Sequence, residues 1–188
     1  MGHLISDDDR RRLLQEARRA ISDALAGRPP APPAAEGVFG LRAGVFVSIH
    51  HHGELRGCIG HPEGDRPLAD VLGHCAAAAA TEDPRFRSVS ASELAACDLE
   101  VSVLGPIAPV ASTSEITVGR DGLIVEQGWH RGLLLPQVAV EYGWDRETFL
   151  SQTCRKAGLP PDAWKTGASI FRFEAEVFGE LRPGARRA

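Results

Sequence analysis

The amino-acid sequence predicts an α+β fold in which an N-terminal helix precedes two similar halves that share one curved, barrel-like, mainly antiparallel sheet. Short β-branched stretches of alternating polarity, bounded by glycine, indicate strands and hairpins. Longer stretches with apolar residues three and four positions apart indicate amphipathic helices. The two halves also align weakly, since Gly44 falls on Gly122 and Cys75 on Cys154 at nearly the same spacing. We therefore predict an internal duplication.

The first predicted element is an amphipathic helix over residues 6–26. Ser6 is a favourable N-cap, and the three aspartates that follow it suit the positive end of a helix dipole. The helix ends at Gly27, and the proline-rich residues 28–35 favour an extended spacer. We expect this helix to pack on the body of the protein through its apolar stripe.

Each half is predicted to contain a hairpin, two helices and a returning strand. In the first half, Gly53 supplies the hairpin turn and Pro84 stops the first helix. Ser90 and Glu93 have the spacing of a capping box that begins the second helix. The predicted elements of the first half cover residues 45–49, 54–60, 67–80, 90–96 and 99–104. Those of the second half cover residues 122–126, 132–135, 137–141, 146–157 and 170–178.

Length and charge limit the class of protein. With 188 residues, 43% of them hydrophobic, the chain can bury the core of a single domain. The formal net charge of -4 provides no positive field for a polyanion, so no nucleic-acid partner is predicted. We divide the domain into an N-terminal helix, a Pro- and Ala-rich linker, a duplicated body and a flexible tail, at residues 1–27, 28–37, 38–180 and 181–188.

Cellular location is predicted from two features of the sequence. No apolar stretch approaches the roughly 20 residues that span a bilayer. The first residues, Met1 to Asp9, lack the basic and then apolar order of a signal peptide. We therefore expect a cytoplasmic protein without a membrane partner.

The cysteines carry no pattern of a disulfide framework or a metal site. All four are widely spaced and lie in apolar surroundings, and no pair has the C-x-x-C spacing of a structural zinc site. We predict neither disulfides nor a bound metal. The four residues are Cys58, Cys75, Cys97 and Cys154.

Residues 55–60, which read Leu-Arg-Gly-Cys-Ile-Gly, are the strongest candidate for chemistry. Gly57 and Gly60 flank the Cys-Ile pair, and glycine lets backbone N–H groups or a substrate come close to a reactive side chain. Arg56 lies two positions before Cys58, so strand alternation predicts that both side chains share a face. A nearby guanidinium lowers the pKa of a thiol and so favours the nucleophilic thiolate.

We therefore expect Cys58 to be a reactive thiol. Arg56 is the predicted electrostatic activator or anion anchor, and His50 or His61 is the predicted proton carrier. Glu54, Gly57, Gly60 and Arg85 are further candidates for contact with a ligand or partner.

Two other interpretations of this segment stay open. In the first, the glycines allow a tight bend of the sheet and Cys58 packs as a small apolar residue. In the second, His50, Cys58 and His61 form a metal site, together with other residues such as His52, Cys154 or Glu54. Solvent-exposed turn histidines explain the same pattern, so the metal site is only an alternative hypothesis.

A second constellation is Asp83-Pro84-Arg85-Phe86, directly after the alanine-rich helix. Pro84 fixes a turn that presents Arg85 towards the hairpin, where it anchors an anionic group in the functional interpretation. In the structural interpretation the turn only stops the helix, Arg85 pairs with Asp83 or Glu82, and Phe86 lies in the core.

Several segments together resemble the AMMECR1-domain proteins, over about residues 5–180. The most specific is residues 55–60, and further similar segments occur in the order of the family, at residues 45–50, 83–86, 99–104, 121–123, 135–138 and 155–159. The chain looks most like the bacterial branch, protein A of the AmmeMemoRadiSam system. The resemblance implies a fold of two β-β-β-α-α repeats on a barrel-like sheet.

The resemblance also implies candidate partners, a Memo-like protein and a radical-SAM protein. It names neither a reaction nor a cofactor, and it identifies His50 as the one family histidine among the three in the turn. Two classes of function stay open: a small enzyme that uses Cys58, with a small molecule as substrate, and a non-catalytic binding or adaptor module in which residues 55–60 are structural or form a recognition surface.

Overall fold

The computed structural model describes residues 5–29 and 31–180. The chain forms two compact units, the first made of residues up to Leu104 together with those from Glu176 onward, and the second made of Gly105–Ala175. The predicted tail, residues 181–188, lies outside the described residues. None of the helices in the described part of the chain combines the length and apolar character needed to cross a bilayer.

The first unit begins with helix α1 (Asp7–Leu25), as predicted. The Ser6 side chain accepts a hydrogen bond from the Asp9 backbone N–H at 3.1 Å and so satisfies one of the exposed donors of the first turn. Leu13, Ala17 and Ile21 are fully buried on one stripe of the helix. This stripe joins the hydrophobic core of the first unit.

The first unit continues with a hairpin, two helices and a returning strand. Gly53, in the hairpin turn, has a φ of 85°, a backbone conformation that glycine adopts without strain. Ser90 and Glu93 form the predicted capping box. The elements are β1 (Val45–His51), β2 (Glu54–His61), α2 (Leu68–Thr81), α3 (Ala91–Leu94) and β3 (Cys97–Leu104).

Strand β1 lies between β2 and β3, and both ladders are antiparallel. Val45, Val47 and Ile49 are fully buried in the same core as α1 and α2. Since side chains alternate along a strand, the residues between them point to the opposite face of the sheet. On that opposite face β1 carries Phe46, Ser48 and His50.

The second unit likewise contains a hairpin, two helices and a returning strand, with one short strand added before them. Its main core is formed by Ile116, Leu123, Phe149 and Leu150. The strands and helices are β4 (Ala108–Pro109), β5 (Asp121–Gln127), β6 (His130–Leu134), α4 (Pro136–Glu141), α5 (Arg146–Lys156) and β7 (Ser169–Gly179).

Strand β7 contributes residues to both units. Its earlier residues pair antiparallel with β5 and β4 in the second unit. Its later residues lie beside β3 in the first unit, where the Glu180 backbone N–H bonds the Leu99 carbonyl at 2.9 Å. The predicted α+β class, N-terminal helix and antiparallel sheet are confirmed, and each half has the order β-β-α-α-β with the short β4 added.

The two halves share a close contact between a glycine and a helix end. A Cβ atom on Gly57 in β2 would collide with the carbonyl oxygen of Ala79 in α2. A Cβ atom on Gly132 in β6 would collide with the backbone nitrogen of Ala157, which caps α5. In both hairpins, glycine therefore allows the end of a helix, α2 in the first half and α5 in the second, to lie directly against the second strand.

Candidate functional site

The polar face of the first unit carries Cys58 at its centre. Register places Ser48 of β1 between Cys58 of β2 and Glu100 of β3. The neighbouring residues Val47, Ile59 and Val101 belong to the opposite, core-facing side. Three strands therefore contribute a thiol, a hydroxyl and a carboxylate to one row across the sheet.

A second row lies beside the first on the same face. His50 is two positions after Ser48 and is paired directly with Asp98 of β3. On the other side, the register of β1 and β2 shifts after Ile49, so that His50 faces Leu55. We call the following five residues the polar face: Ser48, His50, Cys58, Asp98 and Glu100.

The backbone of Cys58 is turned away from β1. In an antiparallel ladder, opposite residues alternate between pairs that exchange backbone hydrogen bonds and pairs that do not, and side chains are closer in the second kind. The Ser48 hydroxyl donates to the Cys58 Sγ at 3.3 Å. The Cys58 backbone N–H donates instead to Asp83 Oδ2 at 2.9 Å, and its carbonyl accepts from Arg85 Nη2 at 3.5 Å. Ser48 and Cys58 are therefore a pair that exchanges no backbone hydrogen bonds, and their side chains lie close together.

Asp83 and Arg85 occupy the outer edge of β2 at this point. Arg85 makes a bidentate contact with Asp83, with Nε to Oδ1 at 2.9 Å and Nη2 to Oδ2 at 2.7 Å. Hydrogen bonds from Arg85, together with the backbone N–H groups of Cys58 and Arg85, outweigh burial and hold the pKa of Asp83 well below its usual range. The Asp83 side chain is buried and that of Arg85 is half exposed.

This arrangement includes the ion pair of the structural interpretation of residues 83–86. Phe86 is only partly buried, so its expected place in the core is wrong. Its ring lies 5.3 Å from the Arg85 guanidinium carbon, which gives a cation–π contact at the surface. The predicted role of Arg85 as an anion anchor stays a prediction.

Arg56 is the extra residue of the irregularity in β2, between Leu55 and Gly57. Its side chain is mostly buried and donates from Nε to Glu93 at 2.6 Å and from Nη1 to the Arg87 carbonyl at 2.7 Å. The Arg56 guanidinium in turn lowers the pKa of Glu93. These contacts hold the segment between α2 and α3 against the edge of β2. The predicted lowering of the Cys58 pKa by Arg56 stays a prediction.

The two candidate histidines lie at opposite ends of the hairpin. His61 is paired with Val45, at the far end of β1 from His50, which corresponds to a separation of about 16 Å along the strand. His61 Nε2 lies 2.6 Å from Asp65 Oδ1, and this contact lowers the pKa of Asp65. Of the two candidate proton carriers, only His50 lies beside the row formed by Cys58, Ser48 and Glu100.

The remaining candidates have positions that explain their residue type. Glu54 is exposed next to the hairpin turn. Gly57 is buried against α2, as described above. Gly60 is paired with Phe46, and a Cβ atom there would collide with the Phe46 ring, so the glycine accommodates an aromatic side chain across the ladder.

Comparisons with known proteins agree with this architecture. A model of the AMMECR1 family matches residues 14–178. The chain belongs to the AMMECR1 family. A protein of Methanothermobacter thermautotrophicus is 50% identical over 185 residues, which cover 94% of this chain and 96% of the relative. A protein of Methanocaldococcus jannaschii is 47% identical over 176 residues, or 89% and 88% of the two chains.

A solved structure is similar to the whole AMMECR1 fold seen here. The crystal structure of an uncharacterised protein from Pyrococcus horikoshii matches with a TM-score of 0.90 and 42% sequence identity. The match covers 97% of this chain and 96% of that one. The names of these relatives state no activity.

Cys58 differs from the other three cysteines of this AMMECR1 chain in its exposure. Cys58 is partly exposed, whereas Cys75, Cys97 and Cys154 are buried. Burial raises the pKa of Cys75 to about 11 and also raises the pKa of Cys97 and Cys154. The three buried thiols are therefore protonated at neutral pH, and of the four only Cys58 is within reach of solvent.

The alternative metal site is not formed by the side chains as they lie. Within residues 5–29 and 31–180, no three His, Cys, Asp or Glu side chains are grouped closely enough to hold a metal ion. The wide separation of His50 and His61 is the physical reason why the proposed ligands do not meet.

Sequence reasoning did not identify Ser48, Asp98 and Glu100 as site residues. The alternation in β3 already indicated a polar side, since Asp98, Glu100 and Ser102 interrupt the apolar residues of that strand. What the sequence could not supply was the register that sets Glu100 opposite Ser48 and Asp98 opposite His50.

Proposed function

We propose that this chain acts through a reactive thiol at Cys58, with His50 as its proton carrier and Asp98 as the group that orients the imidazole. The observation that carries the proposal is the register, which aligns the three residues on one face of the sheet. Diagonal neighbours across a ladder lie within about 7–8 Å, a gap that an imidazole can close by rotation about its side-chain bonds. Thiol, base and carboxylate in this order are a recurring arrangement in nucleophilic catalysis.

The proposed step is a thiol substitution at an electrophilic carbon of a small molecule. A bond forms between Cys58 Sγ and that carbon, and the thiol proton passes to His50. The bond from the carbon to its leaving group then breaks, and the leaving group takes the electron pair of that bond and the proton that His50 returns. Arg85 donates to the Cys58 carbonyl and is paired with Asp83, so His50 is the group that we propose to take the thiol proton.

Alkylation by iodoacetamide, followed by peptide mass spectrometry as a function of pH, tests the proposal. We expect Cys58 to react at a lower pH than an ordinary thiol, and His50→Gln to slow its alkylation by about 10-fold, which corresponds to one pKa unit. Asp98→Asn should slow it less, because the base is kept and only its orientation is lost.

His61→Gln is the matched control, since it removes an imidazole from the same hairpin at a distance from Cys58. Equal alkylation rates in His50→Gln and His61→Gln would contradict the role of His50. A native Cys58 that reacts no faster than a simple thiol at any pH would contradict the reactive thiol itself.

We also propose that the chain works with a Memo-like protein and a radical-SAM protein in the cytoplasm, as the resemblance to the bacterial AmmeMemoRadiSam proteins implies. Calorimetric titration of the purified full chain with each purified protein tests this. We expect saturable binding to at least one of the two, and the absence of binding to both would remove the proposal.

A binding or adaptor function without catalysis is the second candidate. It is favoured by one observation, that Arg56 and Gly57 are both engaged in holding the fold together, so residues 55–60 have a structural explanation. Cys58→Ser separates the two candidates. In the adaptor function the variant retains full activity of the assembled system, whereas in the thiol function it binds partners but loses turnover.

A further inference from the structure

Trp129 is an almost fully exposed tryptophan at the tip of the second hairpin. It follows Gly128 in the turn between β5 and β6, and 96% of its surface is accessible. Gly128 has a φ of 62°, so the turn itself is made by glycine and does not require an aromatic residue. Tryptophan burial is energetically favourable, and a ring held in solvent on a tight turn is therefore available for a contact.

The end of α5 lies next to this turn. His130 Nδ1 lies 3.2 Å from the Ala157 carbonyl oxygen. A Cβ atom on Gly158 would be 3.4 Å from the same imidazole nitrogen. The residues just before them, Arg155 and Lys156, are exposed in the last turn of α5. Trp129 therefore precedes the residue that contacts the end of α5, and the exposed Arg155 and Lys156 directly precede the residue contacted.

Neither cation is engaged elsewhere. In the described part of the chain, Arg155 and Lys156 make no ion pair and no side-chain hydrogen bond. This differs from Arg131, the other cation of the hairpin, whose guanidinium lies 2.8 Å from Glu126. We call Trp129, Arg155 and Lys156 the Trp129 patch.

We infer that the Trp129 patch is a docking site for an acidic segment of a partner protein that carries an apolar side chain. The Trp129 ring packs on the apolar side chain, and Arg155 and Lys156 pair with carboxylates beside it. Tryptophan and arginine are the residues most often responsible for affinity at protein interfaces. Complementary charges beside such an anchor set the orientation and the rate of encounter.

An acidic protein fits the patch better than a nucleic acid does. The whole chain has a formal net charge of -4, so the two cations form a local site and not part of an extended positive groove. A short segment with two or three carboxylates matches a patch of this size. The proposal is independent of Cys58, because the patch lies in the second unit.

Selection of a random peptide library displayed on phage, against the purified full chain, tests the inference. We expect enriched peptides to combine aspartate or glutamate with an apolar residue. Synthetic copies should bind in calorimetric titrations with an affinity that falls as salt is added. Trp129→Ala, and the double change of Arg155 and Lys156 to glutamine, should each weaken binding by at least about 10-fold.

Tyr142→Ala and Lys165→Gln are the matched controls, since they remove an exposed aromatic ring and an exposed cation elsewhere on the same unit. We expect both to leave the affinity unchanged. The inference is overturned if no acidic peptide is enriched, or if the Trp129 patch variants bind such peptides as the wild type does. Two other results would also overturn it, provided that peptide binding stays intact. In the first, Trp129→Ala abolishes binding of an oligothymidylate. In the second, Trp129→Ala abolishes self-association measured by sedimentation velocity.

Discussion

The residues of the 55–60 segment have separate tasks although they are adjacent. Arg56 binds Glu93 and the Arg87 carbonyl, and Gly57 makes room for the end of α2. Cys58 points to the opposite face, towards Ser48. A short motif can therefore combine structural residues with one residue of chemical interest.

Asp83 is expected to stabilise the fold in its ionised form. Asp83→Asn keeps an acceptor for the Cys58 N–H but removes the charge that pairs with Arg85, so we expect a loss of about 1–3 kcal/mol in the free energy of unfolding at neutral pH. Because the folded state lowers the pKa of Asp83, its contribution is present above the ordinary aspartate pKa and disappears as the pH falls through the lowered value. Urea unfolding of both proteins over an acidic pH series measures this.

Glu82→Gln is the control for that experiment, since Glu82 is an exposed neighbour in the same turn. We expect it to change the free energy of unfolding by no more than about 0.5 kcal/mol. If the difference between Asp83→Asn and the wild type stayed constant as the pH fell, the ionised carboxylate would not be the source of the stability.

The sequence was sufficient to identify Cys58, His50 and the Asp83–Arg85 turn as residues of interest, because each stands out from its local pattern. It was insufficient to select between His50 and His61, since both lie near Cys58 along the chain. The pairing of β1 with β2 distinguishes them, because His50 lies opposite Leu55 and His61 lies opposite Val45. Register depends on pairing between distant segments, and local propensity carries no information about it.

At the scale of elements, the edge of β2 is covered by the chain that follows α2. Asp83 and Arg85 bond the backbone of Cys58, and Arg56 reaches the carbonyl groups of Arg87 and Ser88. An exposed edge strand is a site of unwanted pairing with other chains. The side chains of this segment therefore protect part of the edge.

Arg56→Met tests whether this segment depends on Arg56. The change leaves the partly buried Glu93 without its ion-pair partner, so we expect a loss of about 1–3 kcal/mol in the free energy of unfolding and faster hydrogen exchange between Arg87 and Leu94. If Arg56 also activates the thiol, alkylation of Cys58 slows in the same variant, and an unchanged rate would limit Arg56 to its structural role.

Arg87→Met is the matched control for Arg56→Met, because the Arg87 side chain is exposed and only its backbone carbonyl is used. We expect wild-type stability and wild-type exchange from this variant. Equal losses in the two variants would show that the guanidinium contacts of Arg56 contribute nothing specific.

A second prediction at this scale concerns the close contact between β2 and α2 at Gly57. Gly57→Ala places a methyl group against the Ala79 carbonyl, and we expect the free energy of unfolding to fall by about 2–3 kcal/mol, since backbone has to move. Gly73→Ala is the control, because its Cβ would lie 3.4 Å from the Ala20 Cβ and alanine favours the helix by up to about 1 kcal/mol. Thermal unfolding of both variants decides the matter, and similar melting temperatures would contradict the close contact.

The order and type of the elements were predicted more completely than the site. Ser6, Gly53 and the Ser90–Glu93 capping box act locally, and each one marks a boundary that the structure retains. The two glycines that meet helix ends were not predicted as equivalent. Gly57 and Gly132 belong to strands with little sequence identity, and only the packing of a helix on each strand reveals their common role.

At the scale of the whole molecule, the two units share one strand. β7 pairs with β5 in the second unit and lies beside β3 in the first. The sequence predicted a single domain over the same residues. Because β7 continues from one unit into the other, we expect the chain to unfold cooperatively.

The buried thiols allow this cooperativity to be measured. In the Cys58→Ser variant the remaining cysteines are buried, with Cys97 in the first unit and Cys154 in the second both fully inaccessible. We expect Cys97 and Cys154 to become reactive towards a thiol reagent at the same urea concentration, and to coincide with the loss of helical signal in circular dichroism. The wild type serves as the comparison, since its Cys58 should react before the transition. Two well-separated midpoints for Cys97 and Cys154 would instead establish that the units unfold independently and that the single-domain prediction is wrong.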